Sequence, residues 1–181
     1  LRKVLKDRPL LFTFRTKAEG GKKAIAYEQY AELLCQVADT KLIDMIDVEV
    51  YINDEVKELV TKLKEKGAII GGSKETFVKL SKEEIIRRLC YMQEIGVDIS
   101  KLAAMPRSAE DVLTLLNATE EIAKHAKCPI VTMSMDRMGA ISRVAGETFG
   151  SAITFGTLKK ASAPGQIQAE KLKEMLEILR P

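Results

Sequence analysis

Ile99-Ser100-Lys101-Leu102-Ala103-Ala104-Met105-Pro106-Arg107-Ser108-Ala109-Glu110-Asp111-Val112-Leu113-Thr114-Leu115-Leu116 reads as a short apolar strand, a proline break and the opening turns of a helix. Ser108 followed three residues later by Asp111 resembles a capping box, loosely, because its acid is Asp rather than Glu or Gln. The stretch is one βα unit, and the same order of signals repeats on both sides of it. Strands are expected over Leu10–Phe14, Leu42–Val50, Ala68–Gly72, Lys101–Ala104, Ile130–Met133 and Ala152–Phe155. Between them, helical periodicity covers Ala26–Asp39, Asp54–Lys66, Lys82–Ile95, Ser108–Lys127, Ser142–Phe149 and Ala169–Leu179. Ser81 with Glu84 marks another helix start, and Gly67 and Gly96 sit where helices should release the chain toward the next strand.

Alternating βα units can close as a barrel or remain a doubly wound sheet. Polar, glycine-bearing loops follow the strand ends, over 15–21 and 156–166, and no G-x-G-x-x-G opens the first unit. The barrel is therefore the expected class: α/β, of the TIM-type (β/α)8 family, as one domain over residues 1–181. A complete barrel takes eight units in roughly 250 residues. About six are visible here, and with a start at Leu1 rather than methionine the reading is of a partial barrel lacking two N-terminal units. Its end strands, 10–14 and 152–155, would have unpaired edges covered by another chain or by the remainder of the protein.

Composition limits the function classes. The 181 residues carry 29 basic and 26 acidic side chains, net +3, too balanced and interspersed for bulk nucleic-acid binding. No apolar run is long enough to cross a bilayer, and Leu1-Arg2-Lys3 lacks the apolar core of a signal peptide. Cys35, Cys90 and Cys128 are odd in number, with no C-x-x-C pair, which points to a reduced, cytoplasmic protein without structural zinc.

Lys101 is the sharpest chemical candidate. An inward-facing lysine in that apolar strand is desolvated, which disfavours the ammonium and leaves an amine able to attack a carbonyl and form a Schiff base. The alternative is a strand-end lysine reaching into solvent. Arg15, in Phe14-Arg15-Thr16-Lys17-Ala18-Glu19-Gly20-Gly21, offers a forked donor for a carboxylate or hydroxyl, or else makes a surface ion pair with Glu19. Asp47 and Glu49 share one strand face by the period of two; if they point inward they need cations, for which Lys101 and Arg15 are available. Met133 and Met135 fall on one side of a strand, as a pocket wall or as core filler, with Arg143 at the start of the next helix. The loop Lys159-Lys160-Ala161-Ser162-Ala163-Pro164-Gly165-Gln166 has the small, turn-forming and hydrogen-bonding residues of a segment that closes over a polar ligand.

Taken in order, these motifs resemble the type I, Schiff-base 3-dehydroquinate dehydratases. The resemblance rests on Phe14-Arg15-Thr16 with Glu19-Gly20-Gly21, Lys101 before Ala104-Met105-Pro106, Asp111-Val112-Leu113-Thr114-Leu115-Leu116, Met133-Ser134-Met135, Ile141-Ser142-Arg143 and Lys160 to Gln166. It implies a (β/α)8 barrel and a hydro-lyase of the shikimate pathway of aromatic amino acid biosynthesis. Such an enzyme converts 3-dehydroquinate to 3-dehydroshikimate, is cytoplasmic and homodimeric, and uses neither metal nor organic cofactor. By the resemblance Lys101 forms the imine and Arg143 holds the substrate carboxylate, with Ser162 and Gln166 reaching it from the closing loop. Arg15 and Glu19 bind ring hydroxyls and orient the lysine, Met133, Met135 and Phe155 wall the pocket, and Asp47 with Glu49 supports the site from behind.

The family's acid/base is a histidine in a Ser-x-His-Asp-Phe pattern, and this chain reads Ser73-Lys74-Glu75-Thr76-Phe77, which puts Glu75 in the histidine position. The one histidine, His125, belongs to a helix end on the opposite face of a barrel. A glutamate, near 4.3 in model peptides, is a poor acid at neutral pH. The sequence therefore leaves three readings: a dehydratase of intact or reduced activity, which is the one adopted, a non-catalytic homologue that binds a cyclohexane carboxylate, and a fold-only fragment without a competent site.

Overall fold

Residues 46–49 and 130–134 are buried without interruption, the burial pattern of parallel strands covered on both faces. The computed structural model describes residues 1–179. In chain order it contains α1 (Arg2–Leu5), β1 (Leu11–Thr13), α2 (Tyr27–Asp39), β2 (Met45–Glu49), α3 (Val56–Glu65), β3 (Ile69–Thr76), α4 (Lys82–Glu94), β4 (Ile99–Ala104), α5 (Ala109–Ala123), β5 (Ile130–Ser134), α6 (Ile141–Val144) and α7 (Ala169–Leu179). Single 3-10 turns occupy Lys17–Glu19 and Gly146–Phe149. The α/β class expected from the sequence holds, with five strands in sheet order β1-β2-β3-β4-β5.

The chain forms two compact units, one of residues 1–74 with 92–100 and one of residues 75–91 with 101 onward. In the first, β1 and β2 pair in parallel with Leu11 opposite Met45 and Thr13 opposite Asp47, and β2 and β3 pair with Met45 opposite Ile69 and Glu49 opposite Ser73. The Asp98 N–H donates to the Ile70 carbonyl at 2.8 Å, and the Asp98 carboxylate accepts the Ile70 N–H at 2.8 Å, leading β3 into the start of β4. Tyr30 and Leu34 on α2 and Val56, Val60 and Leu63 on α3 supply the buried faces of the covering helices.

In the second unit the Met105 N–H donates to the Thr76 carbonyl at 2.9 Å, and the Met135 N–H to the Ala104 carbonyl at 2.8 Å. The sixth strand expected over Ala152–Phe155 does not form. Only Ala152 reaches β5 through the backbone, donating to the Ile130 carbonyl at 2.8 Å. Serine hydroxyls take two donors of β5: Ser151 Oγ accepts the Thr132 N–H at 3.1 Å and Ser142 Oγ accepts the Ser134 N–H at 2.8 Å. With those donors satisfied by side chains, no ladder extends along 152–155. The helix expected over Ser142–Phe149 is divided at Ala145 into α6 and the following 3-10 turn.

Helix ends follow the local signals. Gly67 and Gly96 adopt φ of +82° and +89°, the left-handed conformation that glycine tolerates at a helix C-terminus. Both arms of the Ser108–Asp111 capping box are formed, and Ser108→Ala should lower the unfolding free energy by about 1 kcal/mol in a urea titration. At α4 the Glu84 N–H donates to Ser81 Oγ at 3.2 Å, while the Glu84 carboxylate accepts from Arg87 and Arg88. Those two guanidinium groups hold the Glu84 carboxyl down to about 2. Because this lies below the unfolded value near 4.3, the contribution of Glu84 is complete above about pH 5 and fades as pH falls toward 2. Glu84→Gln should therefore lose less stability than the parent between pH 5 and pH 2.5, by under about 1 kcal/mol for a solvent-screened cluster.

Candidate active site

In the first unit, β2 places Asp47 and Glu49 on one face, 5% and 1% exposed, and Arg15 leaves the end of β1 toward both. Arg15 Nη2 lies 2.6 Å from Asp47 Oδ2, and Nη1 lies 2.9 Å from Glu49 Oε1, 3.2 Å from Glu19 Oε2 and 3.2 Å from Ser73 Oγ. Glu49 also accepts the Thr16 N–H at 2.8 Å and the Thr16 hydroxyl at 2.6 Å. Asp47 accepts the hydroxyls of Thr13 and Ser73. Glu19, 2% exposed, accepts from Lys74 Nζ at 2.9 Å, and that ammonium stands 5.8 Å from the Tyr51 ring centroid. Glu19 is therefore buried in a network and not part of a surface ion pair. Arg15 is the cation that the inward-facing acids required; the other candidate, Lys101, pairs elsewhere. The Tyr30 hydroxyl accepts the Glu49 N–H at 3.0 Å, and burial pushes its phenol far above the ordinary range.

In the second unit, Lys101 is a mid-strand residue of β4 with a side chain only 12% exposed, so it is not a strand cap reaching into solvent. Its Nζ lies 3.1 Å from Glu75 Oε1 and 5.9 Å from the Phe155 ring centroid. Arg143, on α6, is 1% exposed. Its Nη1 approaches Met133 Sδ at 3.5 Å and donates to the Phe155 carbonyl at 3.4 Å, and its Nη2 donates to the Pro164 carbonyl at 3.1 Å. Nε is buried without a hydrogen-bond partner, and among the described residues no carboxylate forms an ion pair with this guanidinium. Desolvation pushes Arg143 below the usual arginine range, and the charge of Glu75 opposes that shift. A buried guanidinium whose partners are a thioether and carbonyls has its charge uncompensated by them, a chemistry suited to an anion.

Met133 and Met135 are both buried, at 5% and 1% exposure. The Ser162 N–H donates to Gln166 Oε1 at 2.8 Å, so these two loop residues hold each other, while Pro164 between them ties the loop to Arg143. His125 is exposed just beyond α5. Among the described residues, no group of three or more His, Cys, Asp or Glu side chains could hold a metal ion. Sequence reasoning missed Ser73, Lys74 and Thr16 as network members. Ser73 shares a strand face with Glu75 by the period of two once β3 runs on to Thr76; Thr16 stood in the Phe14-Arg15-Thr16 motif but without a role assigned to it.

A family model described as type I 3-dehydroquinase matches residues 1–181. The chain belongs to the type I 3-dehydroquinase family. It is 47% identical over 182 residues to the 3-dehydroquinate dehydratase of Clostridium novyi (strain NT), covering 99% of this chain and 72% of that protein. To the 3-dehydroquinate dehydratase of Clostridioides difficile (strain 630) it is 49% identical over 182 residues, covering 99% and 71%. Among solved structures, the type I 3-dehydroquinate dehydratase from Clostridium difficile with covalently modified comenic acid superposes with a TM-score of 0.93 at 48% identity, over 98% of this chain and 71% of that one. The 3-dehydroquinate dehydratase from Geobacillus kaustophilus HTA426 gives 0.95 at 34% identity, over 99% and 70%. Within this type I chain, the nominated residues fall into two groups: Arg15, Glu19, Asp47 and Glu49 in the first unit, and Lys101, Glu75, Arg143, Met133, Met135, Phe155, Ser162 and Gln166 in the second.

Proposed function

We propose that this chain dehydrates 3-dehydroquinate to 3-dehydroshikimate through an imine on Lys101, with Glu75 moving the protons. The observation that carries the reading is the 3.1 Å contact between Lys101 Nζ and Glu75 Oε1, in a unit that also buries Arg143 with no carboxylate partner among the described residues. Family membership and curated relatives named 3-dehydroquinate dehydratase support it.

Glu75 accepts a proton from the Lys101 ammonium, and the freed amine attacks the ring ketone. The proton returns to the carbinolamine oxygen, which leaves as water. The sum is ammonium plus ketone giving iminium plus water, with the carboxylate regenerated. The iminium acidifies the adjacent carbon, Glu75 takes its proton to give the enamine, and the same proton leaves with the neighbouring hydroxyl as a second water. Hydrolysis of the conjugated iminium then restores Lys101. In this proposal Arg143 holds the substrate carboxylate, Met133, Met135 and Phe155 form the wall, and Ser162 and Gln166 close over the carboxylate. The roles of Arg15 and Glu19 at ring hydroxyls rest on the family resemblance alone, as do a homodimer, a cytoplasmic location and a place in the shikimate pathway. The absence of disulfides among Cys35, Cys90 and Cys128 is consistent with that location.

Borohydride tests the imine directly. Incubation with 3-dehydroquinate and sodium borohydride, followed by intact mass and peptide mapping, should give a reduced adduct on Lys101 and none in Lys101→Ala. No adduct under saturating substrate overturns the reading. A non-catalytic homologue would bind the substrate calorimetrically without product or adduct.

A further inference from the structure

Lys101 and Glu75 stand on neighbouring strands, tied just beyond them where the Met105 N–H donates to the Thr76 carbonyl at 2.9 Å. Their side chains are 12% and 15% exposed, so neither is sealed from solvent, and the Phe155 ring centroid lies 5.9 Å from the Lys101 nitrogen. The amine's hydrogen-bond partner is a carboxylate rather than an imidazole; the one histidine of the chain, His125, is exposed beyond the end of α5. That choice of base governs what an iminium on Lys101 does when the ketone carries a hydroxyl on its β-carbon. Loss of the hydroxyl needs a proton taken from the α-carbon and a proton delivered to the oxygen. A carboxylate is weak at the delivery, because as a class it stays ionised at neutral pH. Cleavage of the carbon–carbon bond needs only a base for the hydroxyl proton, with the iminium receiving the electron pair. In a ring the two pieces stay joined and re-add, so cleavage leaves no trace; in an open chain they part.

We propose that this chain also cleaves small open-chain β-hydroxy ketones by a retro-aldol reaction at Lys101, with Glu75 as the base. Lys101 and the ketone give the iminium and one water. Glu75 takes the hydroxyl proton, the carbinol carbon becomes a carbonyl, and its bond to the α-carbon breaks with the electron pair passing through the α-carbon to give the enamine. The carbonyl fragment leaves, and Glu75 returns the proton to the α-carbon. One water then hydrolyses the remaining iminium, which frees the second ketone and Lys101. The sum is one β-hydroxy ketone giving two carbonyl compounds, with no net water, oxidant or reductant. The Phe155 ring beside the amine suits apolar substituents. This inference rests on the Lys101 imine of the proposed function and not on dehydration.

The probe is 4-hydroxy-4-methylpentan-2-one, whose iminium has two exits: cleavage gives two molecules of acetone, and dehydration gives 4-methylpent-3-en-2-one and water. Proton NMR should show acetone as the main product, formed faster than in buffer. Glu75→Gln should lower the protein-dependent acetone rate at least about 100-fold, and Lys101→Ala should return it to that of buffer. Glu75→His, which supplies an acid at neutral pH, should shift the products toward the unsaturated ketone. Borohydride added during turnover should leave an isopropyl group on Lys101 of the parent chain, located by peptide mapping, a reading that needs no variant. The unsaturated ketone alone, no product, or no isopropyl adduct overturns the proposal. So does acetone formation unchanged in Lys101→Ala or Glu75→Gln, or a product ratio unchanged in Glu75→His. Acetone from a chain that leaves 3-dehydroquinate intact would overturn the dehydratase reading and leave this activity standing; dehydration of 3-dehydroquinate without acetone would do the reverse.

Discussion

Glu75→His should turn over 3-dehydroquinate at least about 100-fold faster than the parent chain, the low end of what a matched acid/base contributes. The reason is the position of the side chain and the chemistry of the two groups. Glu75 touches the Lys101 nitrogen, on which we propose the imine, so in that proposal whatever stands there meets both the amine and the carbon next to it. Imidazole as a class is a stronger base than a carboxylate by about 2 pH units, and at neutral pH it populates both protonation states. It can remove the carbon-bound proton more readily and still supply a proton when the conjugated iminium is hydrolysed. Product absorbance in steady state, together with a single-turnover measurement of adduct decay, reads the two halves separately. Faster decay with unchanged adduct formation would assign Glu75 a competent role in capture and a poor one in release. An unchanged rate in both measurements would mean that position 75 does not face the reacting carbon. Glu75→Gln, which cannot carry a proton between the two steps, should reduce capture and turnover together.

The same residue illustrates where the sequence was legible. Helix starts at Ser81 and Ser108 could be read because capping is local chemistry, fixed within four residues. The strands β2 and β5 could be read because Ile46 and Val48, and Ile130, Val131 and Thr132, are the β-branched residues that strands favour. β3 was expected to stop at Gly72, since Gly71-Gly72-Ser73-Lys74-Glu75-Thr76 has the composition of a loop. It continues to Thr76 because those polar side chains each find charged or hydroxyl partners: Ser73 with Asp47, Lys74 with Glu19, Glu75 with Lys101. Local propensity fails where long-range ion pairs take over, and this is where the candidate chemistry lies. The opposite error occurred at Ala152–Phe155, where strand-like residues lost their ladder because serine hydroxyls occupied the donors of β5. No spacing rule reveals that two serines eight and nineteen residues beyond the donors they satisfy will do this.

Arg15→Ala should cost about 3–5 kcal/mol of unfolding free energy, the range for removing one partner of a buried charge network. Arg15 alone touches Glu19, Asp47 and Glu49, and all three carboxylates are at most 5% exposed. Its loss leaves Asp47 with hydroxyl donors, Glu49 with Thr16, and Glu19 with Lys74. Among the described residues, Glu19 keeps its ion pair with Lys74 and the two acids of β2 keep none, so the residual repulsion and desolvation fall mainly on Asp47 and Glu49. Arg15→Lys should recover part of the loss, since one ammonium replaces the charge but cannot span Asp47 and Glu49 with separate nitrogens as the fork does. Combining Arg15→Ala with Glu49→Gln removes one of the stranded charges and should cost clearly less than the sum of the two single changes. Urea titrations of the four chains at neutral pH and constant salt measure this. A loss below about 1 kcal/mol for Arg15→Ala, or strict additivity with Glu49→Gln, would mean that solvent screens the network and that Arg15 does not hold the acids of β2 in place.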